Sequence, residues 1–268
     1  GASQQMPPTE VSVVVAQPQS VEQSVELSGR TTAFEISEVR PQTSGVILKR
    51  LFAEGSYVRE GQALYELDSR SNRAALDSSK AALLQQQANL NSLRTKLNRY
   101  QQLVSINAVS KQEYDDLLGS VKVTEAQVAA AQAQIKSAEI DLGYSIIRAP
   151  ISGQTNRSTV TVGALVTANQ ASPLVTIQRL DPIYVDMNQS SAELLRLRQQ
   201  LSKGDLDSSN NTQVKLKLED GSYYSVEGRL AFSDASVNPD TGTITLRAVF
   251  SNPNHLLLPG MFATAQIV

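Results

Sequence analysis

The chain has 268 residues, enough for more than one small core, and its 24 lysines and arginines nearly balance 26 aspartates and glutamates. A net charge of −2, no tryptophan and few aromatics leave no basic field and no stacking platform for nucleic acid. With no cysteine and one histidine, His255, thiol catalysis and any Cys/His metal cluster are excluded.

Residues 1–9, Gly-Ala-Ser-Gln-Gln-Met-Pro-Pro-Thr, are small, polar and proline-bearing and read as a flexible leader. No run approaches the roughly 20 apolar residues needed to cross a bilayer. Membrane attachment, if any, is expected through a lipid anchor upstream of Gly1. From Glu10 to Glu26 the spacing of Val11, Val13 and Val15, then Val21, Val25 and Leu27, predicts strand, broken at Pro18. Ser28-Gly29-Arg30 is expected to turn, and Thr31–Val39 to be extended again. A strand follows Arg40-Pro-Gln-Thr-Ser-Gly45, and Gly55 and Gly61 punctuate two short strands ending at Leu64-Tyr-Glu-Leu-Asp68.

Residues 69–142 predict two long antiparallel helices. Leu76, Leu83, Leu90, Leu97 and Val104 recur every seven residues, with Ser79, Gln86, Leu93 and Tyr100 three residues on. Tyr114, Val121, Val128, Ile135 and Leu142 repeat the period, with Leu117, Thr124, Ala131 and Ala138 beside them. A sustained heptad among polar residues is a coiled-coil pattern. The connection Ser105-Ile-Asn-Ala-Val-Ser110 is short, so the helices must be antiparallel neighbours, and Ser110 with Glu113 has the form of a capping box. About 35 residues per helix give a rod on the order of 50 Å long.

After the rod an earlier pattern returns. Arg148-Ala-Pro-Ile-Ser-Gly153 echoes Arg40-Pro-Gln-Thr-Ser-Gly45, Gly163 echoes Gly55 and Val166 echoes Val58, with Leu180-Asp181 set against Leu67-Asp68 as the closing match. The rod is therefore inserted between two halves of an internal repeat. Neither half can bury a face alone, so the two are expected to pack as one small sandwich.

Ile183–Met187 reads as strand, and Ser190-Ser-Ala-Glu193 as the capped start of a short helix carrying Leu194, Leu195, Leu197 and Leu201 and ending near Gly204. A polar loop over 205–212 leads to the alternating Val214–Leu218, a turn at Glu219-Asp-Gly-Ser222 and a returning strand over Tyr223–Phe232. These predict a β-barrel, possible closing residues being 28–38. The last segment, with its turn at Asn238–Gly242, is expected to join residues 10–27 in a separate terminal β-domain.

Ser44–Gly55, Ala149-Pro-Ile-Ser-Gly153, Gly163-Ala-Leu-Val166, Gln178–Val185 and Leu258-Pro-Gly-Met-Phe262 together resemble the periplasmic adaptor, or membrane fusion, proteins of tripartite RND-type multidrug efflux pumps. The resemblance runs over nearly the whole chain from about Val11. It implies a mainly β modular protein with a long antiparallel α-helical coiled-coil hairpin, a split lipoyl-like sandwich, a β-barrel and a terminal β-domain. The expected division is a leader (1–9), membrane-proximal β-domain (10–27, 234–268), barrel (28–38, 182–233), lipoyl-like domain (39–68, 143–181) and hairpin (69–142).

The resemblance also implies partners: an inner-membrane RND transporter, a TolC-like outer-membrane channel and further copies of the chain in a ring, a hexamer. The location would be the periplasm of a Gram-negative bacterium, at the inner membrane, with no cofactor and no catalysis. Arg99, Leu103 and Ser110 stand at Arg-x3-Leu-x6-Ser, similar to the tip motif by which such adaptors dock on the channel. Arg99 would supply a charge-assisted donor, Leu103 an apolar contact and Ser110 a cap allowing close approach. By spacing alone the same residues read as a solvated charge, the end of the seam and a plain N-cap.

Other chemistries find little footing. Asp115-Asp116 and Glu219-Asp220 are adjacent acids that do not face each other in the way an acid/base couple requires. His255 has no partner ligands in the sequence around it, and the glycines form no phosphate-cradling loop. A lipoyl or biotinyl carrier would need its lysine at the junction near Asp68–Arg70, which here opens into the rod, while Lys49 falls inside a strand. An ABC-exporter or heavy-metal-pump adaptor remains the rival of the same class, a carrier protein or an enzyme the rivals of another.

Overall fold

In the computed structural model, residues 1–16, 25–203, 212–231 and 235–267 are described. Pro18 and Val21, the side chain of Leu201, Gly204, residues 205–211 of the polar loop, Phe232 and Asp234 lie outside them. The elements in chain order are β1 (Val25–Val39), β2 (Gly45–Arg50), β3 (Tyr57–Val58), β4 (Ala63–Leu67), α1 (Arg70–Ser105) and α2 (Lys111–Gly143). They continue as β5 (Ile146–Arg148), β6 (Gly153–Thr155), β7 (Leu165–Val166), β8 (Val175–Ser190), α3 (Ser191–Lys203) and β9 (Thr212–Leu218). The last are β10 (Gly228–Leu230), β11 (Ser236–Asn238), β12 (Thr243–Phe250) and β13 (Phe262–Ile267). Two compact units result: Thr31–Tyr184 with Ser251–Gly260, and Gly1–Arg30 with Val185–Phe250 and Met261–Val268.

In the first unit the two halves of the repeat pair crosswise. Gly45 of β2 lies opposite Val166 of β7, and Val58 of β3 opposite Gly153 of β6, so each half supplies the strand its counterpart lacks. The turns repeat as well. Gly61 donates its N–H to Ala149 and Asn169 to Pro41, both at 2.8 Å, and Gln62 and Gln170 each accept a backbone N–H through Oε1, from Arg59 and Thr167. Gly61 and Asn169 both have positive φ, +84° and +57°. The sandwich core gathers Ile47, Val58, Leu64, Tyr65, Leu67, Val166, Leu174, Val175 and Ile177. The repeat therefore closes differently from the expected match of Leu67 with Leu180: Leu67 pairs with Ile47 and, at the equivalent site, Ile177 pairs with Thr155, while Leu180 lies further along β8. Tyr65 is fully buried, its hydroxyl 2.6 Å from Ser158 Oγ and donating to the Leu174 carbonyl at 3.2 Å. Burial pushes its phenol above the ordinary tyrosine value.

The hairpin leaves this sandwich between β4 and β5. Every heptad position named above is buried or half-buried, and Leu76, Leu90, Leu117, Val121, Thr124 and Ala138 are the buried ones. A seam so narrow buries little of each helix, so the register must come from the heptads themselves. One polar bridge crosses between the helices, Arg94 to Glu125 at 3.3 Å, and both side chains are about half exposed, so it adds little. At the base, Asp68 accepts from the Arg70 guanidinium at 2.8 Å, which holds its carboxyl below the usual aspartate range.

In the second unit six strands close a barrel in the order β1-β8-β12-β10-β9-β13 and back to β1. Val25–Arg30 pair with Phe262–Ile267, and Ala263–Ile267 with Val214–Leu218. The strands near both chain ends are thus staves of the barrel, which differs from the expected separate domain of residues 10–27 and 234–268. The cause is length: β9 and β10 alone are too few to close a barrel, and β12, β13 and the first half of β1 supply the missing staves. Ser28–Arg30 is strand rather than turn, because Gly29 has no Cβ to meet the Asp186 carbonyl of β8. Val11, Val13 and Val15 belong to no strand and are exposed. The expected long strand over Tyr223–Phe232 is shorter, with only Gly228–Leu230 in β10 and Tyr223 in an isolated bridge to Lys217. Ser190 caps α3 as predicted, accepting from the Glu193 N–H at 3.2 Å, and Leu194 and Leu197 are buried while Leu195 is exposed.

Candidate functional site

The far end of the hairpin is locked by its backbone. Asn107 sits at φ +58° and donates its N–H to the Val104 carbonyl at 3.2 Å, and Ala108 donates to Leu103 at 2.8 Å. This pair of bonds is a Schellman closure, which satisfies carbonyls that the end of α1 would otherwise leave open. Ser105 Oγ donates to the Gln102 carbonyl at 2.6 Å in the same turn. Ser110 then starts α2 from an extended conformation, its Oγ accepting from the Glu113 N–H at 3.1 Å. Glu113 in the first turn also favours the positive end of the helix dipole.

Arg99, Leu103 and Ser110 all fall on this tip. Arg99 is exposed and, among the described residues, has no hydrogen-bond or ion-pair partner. Leu103 lies one turn on and is half-buried. Ser110 is exposed with its hydroxyl committed to the cap. The arrangement can offer a cation, an apolar surface and a close-approach point, and it holds no group poised for bond making or breaking.

Two tip residues escaped the sequence reading. Asn107 fixes the turn, and its signal was present, since Asn is second to Gly at a helix C-terminus with positive φ. Ile106, 71% exposed, is the most exposed large apolar side chain there. It breaks the heptad, and nothing in the pattern around it would have singled it out.

The remaining candidates stay apart. Lys49 is exposed within β2, and Asp115 and Asp116 are exposed on α2. Glu219 accepts the Phe262 N–H at 3.0 Å, while the Ser222 hydroxyl and N–H hold the Asp220 carboxyl below its usual range. His255, at φ +52°, shares a cleft of about 670 Å³ with Glu35, Glu60, Arg179 and Asp181. Carboxylates thus do stand near it, contrary to what the sequence around it suggests. Two of them are engaged, Asp181 with the Asn252 N–H at 2.8 Å and Glu35 with Arg179 at 3.4 Å.

The domains that carry this tip match known families. Residues 35–178 fit the family described as RND MFP, barrel-sandwich hybrid domain, and residues 182–268 that described as RND MFPs, beta-barrel domain. The chain belongs to the RND membrane fusion proteins. This membrane fusion protein is 50% identical over 260 residues to the antibiotic efflux pump periplasmic linker protein ArpA of Pseudomonas putida, over 96% of this chain and 66% of ArpA. It is 48% identical to the multidrug resistance protein MexA of Pseudomonas aeruginosa (100% of this chain, 67% of MexA) and 47% to the multidrug efflux pump subunit AcrA of Escherichia coli (98% and 66%). The chain spans about two thirds of the length of these curated relatives. Among solved structures, the membrane fusion protein Spr0693 of Streptococcus pneumoniae shares the fold at TM-score 0.69 and 20% identity, over 91% of this chain and 99% of that one. A MacA–MexA chimera carrying the Pseudomonas aeruginosa MexA α-hairpin matches at TM-score 0.62 and 25% identity, over 92% and 82%.

Proposed function

We propose that this membrane fusion protein is the periplasmic adaptor of an RND-type multidrug efflux pump, joining an inner-membrane drug/proton antiporter to a TolC-like outer-membrane channel. The observation that carries the reading is the rod: two helices of 36 and 33 residues packed along each other and ending in a backbone-locked tip. Such a tip is built to be gripped, with Arg99, Leu103 and Ser110 as the docking residues and Ile106 as a further apolar contact. The names of the relatives, efflux pump linkers and subunits, support the same role. In this role the protein works by geometry, in the periplasm of a Gram-negative cell and anchored at the inner membrane, several copies forming a ring with their hairpins side by side.

The test places single cysteines at Arg99, Leu103 and Ser110 and at mid-hairpin positions, in cells making the cognate pump. Crosslinks to the channel from the tip alone, with drug resistance lost in Arg99→Asp and Leu103→Ser, are the expected result. Equal labelling along the rod with resistance intact would return the three residues to a solvated charge, a seam end and a cap.

A further inference from the structure

Asp220-Gly221 is the one place in the chain where an aspartate or asparagine precedes a glycine. Such a pair is chemically exposed, because glycine has no Cβ to shield its nitrogen from the carboxyl group before it. Asp68, Asp77 and Asp207 precede serine, a less open neighbour. Of those that are described, Asp77 is fixed inside α1 and the carboxylate of Asp68 is taken by Arg70. Asp220 is exposed at the end of β9, where Glu26, Lys217 and Glu219 line the same cleft. Among the described residues it makes no ion pair, and its carboxylate rests on Ser222 alone.

The turn engages both reactive groups of this pair. The Gly221 N–H donates to the Leu218 carbonyl at 3.0 Å, and the Leu218 N–H donates to the Ser222 carbonyl at 2.8 Å. With Gly221 at φ +85°, this is the pattern of a tight turn closed by a glycine bulge. Asp220 Oδ1 accepts twice from Ser222, from its N–H at 2.9 Å and from its hydroxyl at 2.5 Å. The hydroxyl is the larger influence that keeps this carboxyl ionised. The glycine nitrogen thus has its proton on a carbonyl. The carbon it would attack belongs to a carboxylate, whose negative charge repels a nucleophile.

We infer that Asp220 is this chain's site of spontaneous isomerisation to isoaspartate, and that Ser222 sets the rate by holding the Asp220 carboxylate in the turn. In the reaction the Gly221 nitrogen attacks Asp220 Cγ and a C–N bond forms. The carboxyl hydroxyl leaves with the amide proton as one water, closing a five-membered succinimide. One water then opens that ring. Entering at Cγ it restores aspartate, and entering at the main-chain carbonyl it leaves the backbone running through the side chain. No oxidant or further reactant is consumed. The product carries an extra backbone carbon beside Glu219, whose carboxylate accepts the Phe262 N–H at 3.0 Å, and beside Leu218, which pairs with Ala263. Isomerisation therefore pulls the turn away from the start of β13. The inference is independent of the adaptor role proposed above.

The test ages the full chain, folded, at one fixed pH and temperature, alongside Ser222→Ala and Ser222→Thr; Ser222 is exposed, so both variants fold. Peptide mapping counts isoaspartate, which elutes apart from aspartate at equal mass and resists an aspartate-specific protease. The expected result is isoaspartate at Asp220 before any other aspartate, several-fold faster in Ser222→Ala and as slow as the parent in Ser222→Thr, which keeps the hydroxyl. Amide exchange at Phe262 quickens in step with the isomerised fraction. In urea, where the turn is lost, the three chains isomerise at one common, faster rate. Equal rates in the folded parent and folded Ser222→Ala would overturn the inference, as would isoaspartate arising first at Asp68 or Asp77. A difference between the variants that persists in urea would overturn it too, since the hydroxyl would then act through the local peptide and not through the turn.

Discussion

Ala108 donates its backbone N–H to the carbonyl of Leu103 at 2.8 Å, so the residue whose side chain is offered to a channel also holds the hairpin turn shut through its main chain. The two roles separate by mutation. Leu103→Ala keeps the carbonyl and should leave amide exchange at Ala108 slow while channel crosslinking falls. Asn107→Val keeps the side chain of Leu103 but forces a β-branched residue into left-handed backbone, at about 1–2 kcal/mol. Faster exchange at Ala108 and a lower urea midpoint would follow. If Leu103→Ala alone loosened the turn, its effect on docking would be indirect.

Ser110 has a similar double reading. Removing its cap in Ser110→Ala should cost about 1 kcal/mol of α2 stability. Ser110→Asp restores an N-cap acceptor, and stability with it, while placing a larger charged group at the tip. Efflux that recovers in Ser110→Asp identifies the residue as a cap alone. Efflux that stays lost with stability restored identifies a close-approach point.

The internal repeat supplies its own control. Gly153 and Gly45 are equivalent, yet a Cβ at Gly153 would lie 2.5 Å from the Gln178 carbonyl oxygen, whereas at Gly45 the nearest atom is 3.6 Å away. Backbone cannot step aside as a side chain can. Gly153→Ala should therefore destabilise by about 3 kcal/mol, the upper end for overpacking, and Gly45→Ala by well under that. Equal urea midpoints for the two variants would mean that β6 and β8 can part at little cost.

Asp68 should titrate below the ordinary aspartate range, because the Arg70 guanidinium and N–H both donate to its carboxylate. A depressed folded value contributes stability that is present above the unfolded aspartate pKa and fades as pH falls through the folded one. Arg70 is exposed and Asp68 only half-buried at this junction, so solvent screens the pair and the effect on global stability is small. The direct measurement is the carboxyl resonance of Asp68 against pH, which in Arg70→Gln should move back toward the usual range.

The hairpin was legible along the chain because a heptad is a local pattern: each seam residue is named by its neighbours three and four positions away, and the seam in the folded protein uses those same positions. The caps at Ser110 and Ser190 were readable for the same reason, since each bonds within three residues. Family membership was legible too, in segments such as Ser44–Gly55 and Leu258–Phe262. Barrel closure was not. Val25 pairs with Ile267 across almost the whole chain, and nothing local to either strand distinguishes a stave of this barrel from a strand of some further domain. The same limit hid the difference between Gly45 and Gly153, which are alike in sequence and unlike only in what packs over them. Local periodicity determined the helices and their ends. The pairing of distant strands, which decides closure, register and the tolerance of each glycine, came only with the tertiary structure, because a strand's partner is chosen by the surfaces both must bury.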